Sequence, residues 1–144
     1  MANRLTQLES SVWIGHTLPP IARPLRLRMV GRAVGFAMQG LRDAWHTQPN
    51  LRIHVCLGAG LFLLGAWCRL ALAEWLWVVF AVGLVIFAEL MNTAIEHAVN
   101  LAVGLRPDPL ARRTKDVSAS CVLVAVMLAS VIETLIFLPH LARG

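Results

Sequence analysis

An all-α fold of three transmembrane helices, preceded by an amphipathic helix on the membrane surface, follows from three features of this sequence. Apolar residues make up 58% of the 144 and charged residues only 15%, with a mean hydropathy of +0.67, which places the chain among membrane proteins. Three apolar stretches, each long enough with its flanks to cross about 30 Å of hydrocarbon, are separated by short polar connections. The Lys and Arg residues divide eleven to two between the two sides that such a three-span chain creates. The length is that of one domain.

Residues 1–24 read as an irregular extension closed by Pro19, Pro20 and Pro24. They carry no long apolar run, so a cleaved secretory signal is not expected. Over residues 25–47 the pattern becomes helical: Met29, Val30, Ala33, Val34, Ala37, Leu41 and Trp45 project to one side, and Arg28, Arg32, Gln39, Arg42 and Asp43 to the other. A basic amphipathic helix of this kind lies in the interface, its arginines toward anionic headgroups. The net charge of +5 is thereby accounted for by lipid, and no recognition fold accompanies it that would point to nucleic acid.

Residues 48–140 hold the three-helix membrane domain. Pro49 ends the surface helix, and a first span is predicted over Leu51–Leu70, with Gly58, Gly60 and Gly65 as candidate close-packing positions and Trp67 as an interface residue. A second helix is predicted from Glu74 to Val103. Its thirty residues extend about 45 Å, so the last turns emerge from the hydrocarbon. Asp108 and Pro109 form an N-cap and first-turn pair for a third helix ending at Pro139. Cys56, Cys68 and Cys121 lie in apolar runs with no Cys-x-x-Cys pair, which argues for packing residues and against zinc or disulfides.

Eleven basic residues lie at or before the start of the first span or between Arg106 and Lys115, whereas only Arg69 and Arg143 lie on the other side. The N-terminus and the 105–115 connection are therefore expected in the cytoplasm, with a multi-pass chain in the cytoplasmic (inner) membrane. Against this background Glu89-Leu-Met-Asn-Thr-Ala-Ile-Glu96 stands out. At about 100° per residue, Glu89, Asn92 and Glu96 fall within about 60° of one another, and Asn100 joins the same stripe. A charge in a membrane helix costs about 2.5–3.5 kcal/mol on insertion scales, so the stripe requires partners, water or a metal. Helix joining by hydrogen bonds is one use of such residues; a site is the other.

The octapeptide, followed by Ala-Arg-Arg-Thr-Lys115-Asp116 and preceded by Gly40-Leu-Arg-Asp-Ala-Trp45 and Asn50-Leu-Arg-Ile-His54, resembles the prokaryotic membrane diacylglycerol kinase family, which includes the undecaprenol kinases. The likeness covers about residues 29–138. It implies a homotrimer with sites shared between chains, ATP as phosphoryl donor, Mg²⁺ as cofactor and a lipid alcohol, diacylglycerol or undecaprenol, as acceptor. Within it Glu89 would be the general base and Asn92 would orient it, Glu96 would ligate Mg²⁺, Lys115 and Asp116 would contact the nucleotide, and Arg42 and Trp67 would border the lipid cleft. The chain has Gln48 where many members carry a second metal-binding glutamate, so the resemblance makes Gln48 a nucleotide-side position that offers the metal an uncharged oxygen, and Asn100 stands where the pattern usually ends in Asp.

Neither a Walker sequence nor a glycine-rich kinase loop occurs. Phosphoryl transfer nevertheless needs few parts: a positioned base, a cation clamp and oxygen ligands for Mg²⁺. The alternative is a non-enzymatic helical oligomer whose carboxylates line a proton or cation pathway.

Overall fold

The computed structural model describes residues 27–104 and 106–142, all helical apart from short connections. The expected extension over residues 1–24 lies outside the described residues. Two compact units, Met1–Ala37 and Met38–Gly144, make up the chain. The described part of the first is the opening of helix α1 (Leu27–Thr47), which continues into the second.

Three further helices follow: α2 (Pro49–Cys68), α3 (Leu72–Val103) and α4 (Pro109–Leu141). Each is long and apolar enough to cross a membrane. The three predicted spans are thus present, with shifts at their ends that have physical causes. Pro49 opens α2 rather than merely ending its predecessor, because a first-turn position needs no backbone N–H. Glu74 is not the start of α3 but its third residue, where its carboxylate reaches back to accept the Ala71 N–H at 2.7 Å. Helix α4 runs two residues past Pro139, since a proline in a last turn forfeits only one bond, and the His140 ring contributes a contact of 2.9 Å to the Ile136 carbonyl. The Asp108 cap is present: its Oδ1 accepts from the N–H groups of Leu110 and Ala111 at 2.7 and 2.9 Å.

Helices α3 and α4 form the most extensive pairing; α2 packs on α3 and touches α4 least. Small residues make the first pairing close. Ala81 and Val85 meet Ala125 and Ala129, flanked by Leu84, Ala88, Val126 and Ile132. On the other side Gly58 sits so near Val82 that a Cβ there would lie 2.7 Å from its Cγ1, and one at Gly65 would lie 2.9 Å from the Trp75 ring. Gly60 meets nothing within 4 Å, so of the three candidate glycines two serve packing. Trp75 stacks on Phe62 with centroids 6.0 Å apart, beside the cluster of Leu70, Val78 and Phe137. These contacts set an antiparallel register in which the end of α3 carrying Asn92 to Asn100 lies beside the start of α4.

Candidate active site

Along the α3 stripe exposure rises toward the C-terminal end. Glu89 is 2% exposed, Asn92 and Glu96 are half-buried, and Asn100 is exposed. Glu89 is held one turn before Thr93, whose hydroxyl donates to the Glu89 carbonyl at 2.9 Å; among the described residues no side chain donates to the Glu89 carboxylate. Asn92 donates from Nδ2 to Glu96 Oε1 at 3.3 Å, and Glu96 Oε2 has no protein partner among the described residues. The stripe is therefore a polar row in which, among the described residues, Asn92 and Glu96 are the pair joined side chain to side chain.

Two hydrogen bonds tie this row to α4. Ser118 Oγ donates to Asn92 Oδ1 at 2.6 Å, and Lys115 Nζ donates to Asn100 Oδ1 at 2.6 Å. Asn100 thus supplies a neutral acceptor to Lys115, which leaves the ammonium charge available to an anion. Beyond Lys115 a cavity of about 620 Å³ opens between the end of α3 and the start of α4. Arg106, Arg112, Lys115, Asp108, Asp116 and Asn100 line it. Three cations against two carboxylates, one of which caps α4, give it a positive balance suited to a polyphosphate. Gly104 allows the chain to turn here, with φ of +62° in a conformation that side chains rarely adopt.

Of the residues singled out from the sequence, Asn92, Glu96 and Lys115 belong to this row and its two ties to α4, and Asp116 joins Lys115 at the cavity. Glu89 lies about one turn deeper than Asn92, and two deeper than Glu96, on the same helix. Gln48 is the N-cap of α2, extended at φ −110° and ψ 102°, and its side chain makes no cap bond. Arg42 is exposed on α1. Trp67 is not brought to the cluster: it is 75% exposed and lies past Gly65, at the Trp75 level, about 20 Å along α3 from Glu89. Ser118, Arg106 and Arg112 were not anticipated. Ser118 had one usable signal, a small polar residue one turn after Lys115 at the mouth of an apolar span.

Among the described residues no three His, Cys, Asp or Glu side chains gather into a metal cage. Mg²⁺ characteristically takes one or two carboxylates and completes its shell with water and substrate phosphates. Glu96, half-buried and with one oxygen uncommitted, fits that second kind of site.

Comparison with known proteins agrees with this chemistry. The chain is 33% identical over 105 residues to the undecaprenol kinase of Bacillus subtilis (strain 168), covering 73% of this chain and 85% of the relative. It is 33% identical over 106 residues to a diacylglycerol kinase of Synechocystis sp., covering 74% of this chain and 61% of that longer protein. The diacylglycerol kinase of Escherichia coli (strain K12) is 26% identical over 109 residues, covering 76% and 88%. The family model described as Prokaryotic diacylglycerol kinase matches residues 35–137, from within α1 almost to the end of α4. The chain therefore belongs to the prokaryotic diacylglycerol kinase family and is an all-helical membrane lipid kinase.

Proposed function

We propose that this kinase transfers the γ-phosphate of ATP to the hydroxyl of a membrane lipid alcohol, diacylglycerol or undecaprenol, at the cytoplasmic face of the inner membrane. The observation that carries the reading is the pair of cross-helix ties, Asn92 to Ser118 and Asn100 to Lys115, at the start of α4, where Lys115 borders a positively balanced cavity. Along α3 the polar row passes from a buried carboxylate to an exposed amide within about 17 Å, a span that joins a lipid-borne hydroxyl to a water-soluble donor. The basic asymmetry supports a cytoplasmic N-terminus.

In this reading Glu89 accepts the proton of the lipid hydroxyl as its oxygen attacks the γ-phosphorus, the bond from that phosphorus to the β–γ bridging oxygen breaks and ADP leaves, and Asn92 orients the reacting groups. A base serves only within hydrogen-bond reach of that proton, which requires the acceptor's head to enter beside Glu89. Lys115, with Arg106 and Arg112, clamps the phosphates, and Asp116 contacts the nucleotide. Glu96 would hold Mg²⁺, with Gln48 as a candidate uncharged oxygen, and the bound ion would supply neutralisation of phosphate charge. Arg42 lies at the headgroup level and Trp67 at the opposite interface. A neighbouring copy completes the site, in the homotrimer that the family resemblance implies.

Purified protein in lipid bilayers with labelled ATP, Mg²⁺, diacylglycerol and undecaprenol at equal surface concentration tests the proposal. Label in either lipid supports it, and the ratio names the acceptor. Folded protein that labels no lipid alcohol overturns it. The non-enzymatic proton or cation pathway is not favoured.

A further inference from the structure

Three polar side chains are buried among the described residues: Glu89, Thr93 and Ser118. Thr93 bonds back to its own helix. Ser118, 4% exposed, reaches across to another helix, and its hydroxyl has one proton to give. Its Oγ lies 2.6 Å from Asn92 Oδ1 and 2.9 Å from the Lys115 carbonyl. That carbonyl sits inside α4, where the helix ladder supplies a donor. Asn92 Oδ1 has no such alternative, and two oxygens at 2.6 Å without a proton between them repel each other.

The consequence passes to Glu96. With Oδ1 held by Ser118, the Asn92 NH₂ is turned to Glu96 Oε1 at 3.3 Å. The reversed amide would set Oδ1 against the Glu96 carboxylate, acceptor against acceptor. Glu96, which can only accept, therefore selects the amide orientation, and the Ser118 hydroxyl holds the amide so selected from its other side. The same residue sits one turn from Lys115, whose ammonium holds Asn100 two turns along α3. The two ties keep the α3 row and the start of α4 in one register.

We infer that Ser118 is a positioning residue of the kinase site: its hydroxyl fixes the Asn92 amide so that one Glu96 oxygen is held and the other is free for the cation that accompanies the nucleotide. This rests on the kinase reading. Outer partners of a metal-binding carboxylate set metal affinity or activity, and because Ser118 acts through Asn92 on Glu96, the effect expected here is on affinity.

The test compares wild type with Ser118→Ala, Ser118→Thr and Ser118→Cys in bilayers. Lipid phosphorylation is measured against Mg²⁺, and Mn²⁺ binding is measured by electron paramagnetic resonance with a non-hydrolysable ATP analogue. Ser118→Ala should raise the Mg²⁺ needed for half-maximal rate and weaken Mn²⁺ binding by roughly 10-fold, with kcat at saturating Mg²⁺ changed less than about 3-fold. Ser118→Thr, which keeps the hydroxyl, should restore both. Adding Ser118→Ala to Asn92→Ala should change Mn²⁺ binding no further, because the serine acts through the amide. If Ser118→Ala does not fold, Ser118→Cys, with its weak donor, takes its place in each comparison. Unchanged Mn²⁺ binding, or a rate lowered equally at every Mg²⁺ concentration, overturns the inference alone; a wild type that phosphorylates no lipid overturns the kinase reading and the inference with it.

Discussion

Glu89 and Glu96 share a stripe but not an environment, and their substitution should separate them. Glu89→Gln keeps size and hydrogen bonding but removes proton acceptance, so turnover should fall by about 10²–10⁴ with little change in apparent ATP affinity, read from steady-state kinetics. Glu96→Gln should instead raise the Mg²⁺ and ATP concentrations required, with activity returning at high metal. Gln48→Glu should lower the Mg²⁺ requirement by adding a charged oxygen; an unchanged requirement removes position 48 from the metal. The stripe was legible from the 3.6-residue period alone, because carboxylates and amides in an apolar run leave few readings. Ser118 was not, since its meaning depends on which residue of α3 faces it, and that register is set by contacts such as Ala81 and Val85 against Ala125 and Ala129. Trp67 was read from the span as an interface residue and given a lipid-cleft role only through the resemblance, and its place at the far level of α2 follows from the length of that helix.

Between helices, close approach depends on missing side chains. Gly58→Val would drive a side chain into Val82, and should lower stability by about 1–3 kcal/mol in thermal unfolding of the detergent-solubilised protein. Gly60→Ala, with open space around it, should stay within about 0.5 kcal/mol. The contrast is the measurement: equal effects at both positions would contradict the packing of α2 on α3. At the start of α4, Asp108→Ala removes the acceptor for two N–H groups and should cost about 0.5–2 kcal/mol, seen as faster hydrogen exchange near residues 109–112. That cap was readable from the Asp-Pro pair. The start of α3 was misjudged by two residues because Glu74 caps the Ala71 N–H from the third position, a role that its place before an apolar run does not distinguish from a first residue.

At the scale of the molecule, three apolar helices and a lopsided set of basic residues determine which compartment the polar row meets. A single cysteine at Arg106 or Arg113, in a background lacking the native three, should be labelled only from the cytoplasm, and one at Ala142 only from outside; the reverse would overturn the orientation. The class of fold was legible because apolar length and turn chemistry coincide at Pro49 and at Asp108-Pro109. The assembly was not, because the large apolar side chains left exposed, among them Phe80, Phe87 and Leu101, are equally at home against lipid or another copy. The central claim, that a buried carboxylate and a cation-lined cavity serve one phosphoryl transfer, meets its most direct test in a single assay. Wild type and Glu89→Gln are incubated in bilayers with γ-labelled ATP, Mg²⁺ and both lipid alcohols, and label is counted in the lipid phase. Label in a lipid alcohol with wild type, reduced by about 10²–10⁴ in the variant, is the result expected; equal transfer by both, or none by folded wild type, would contradict it.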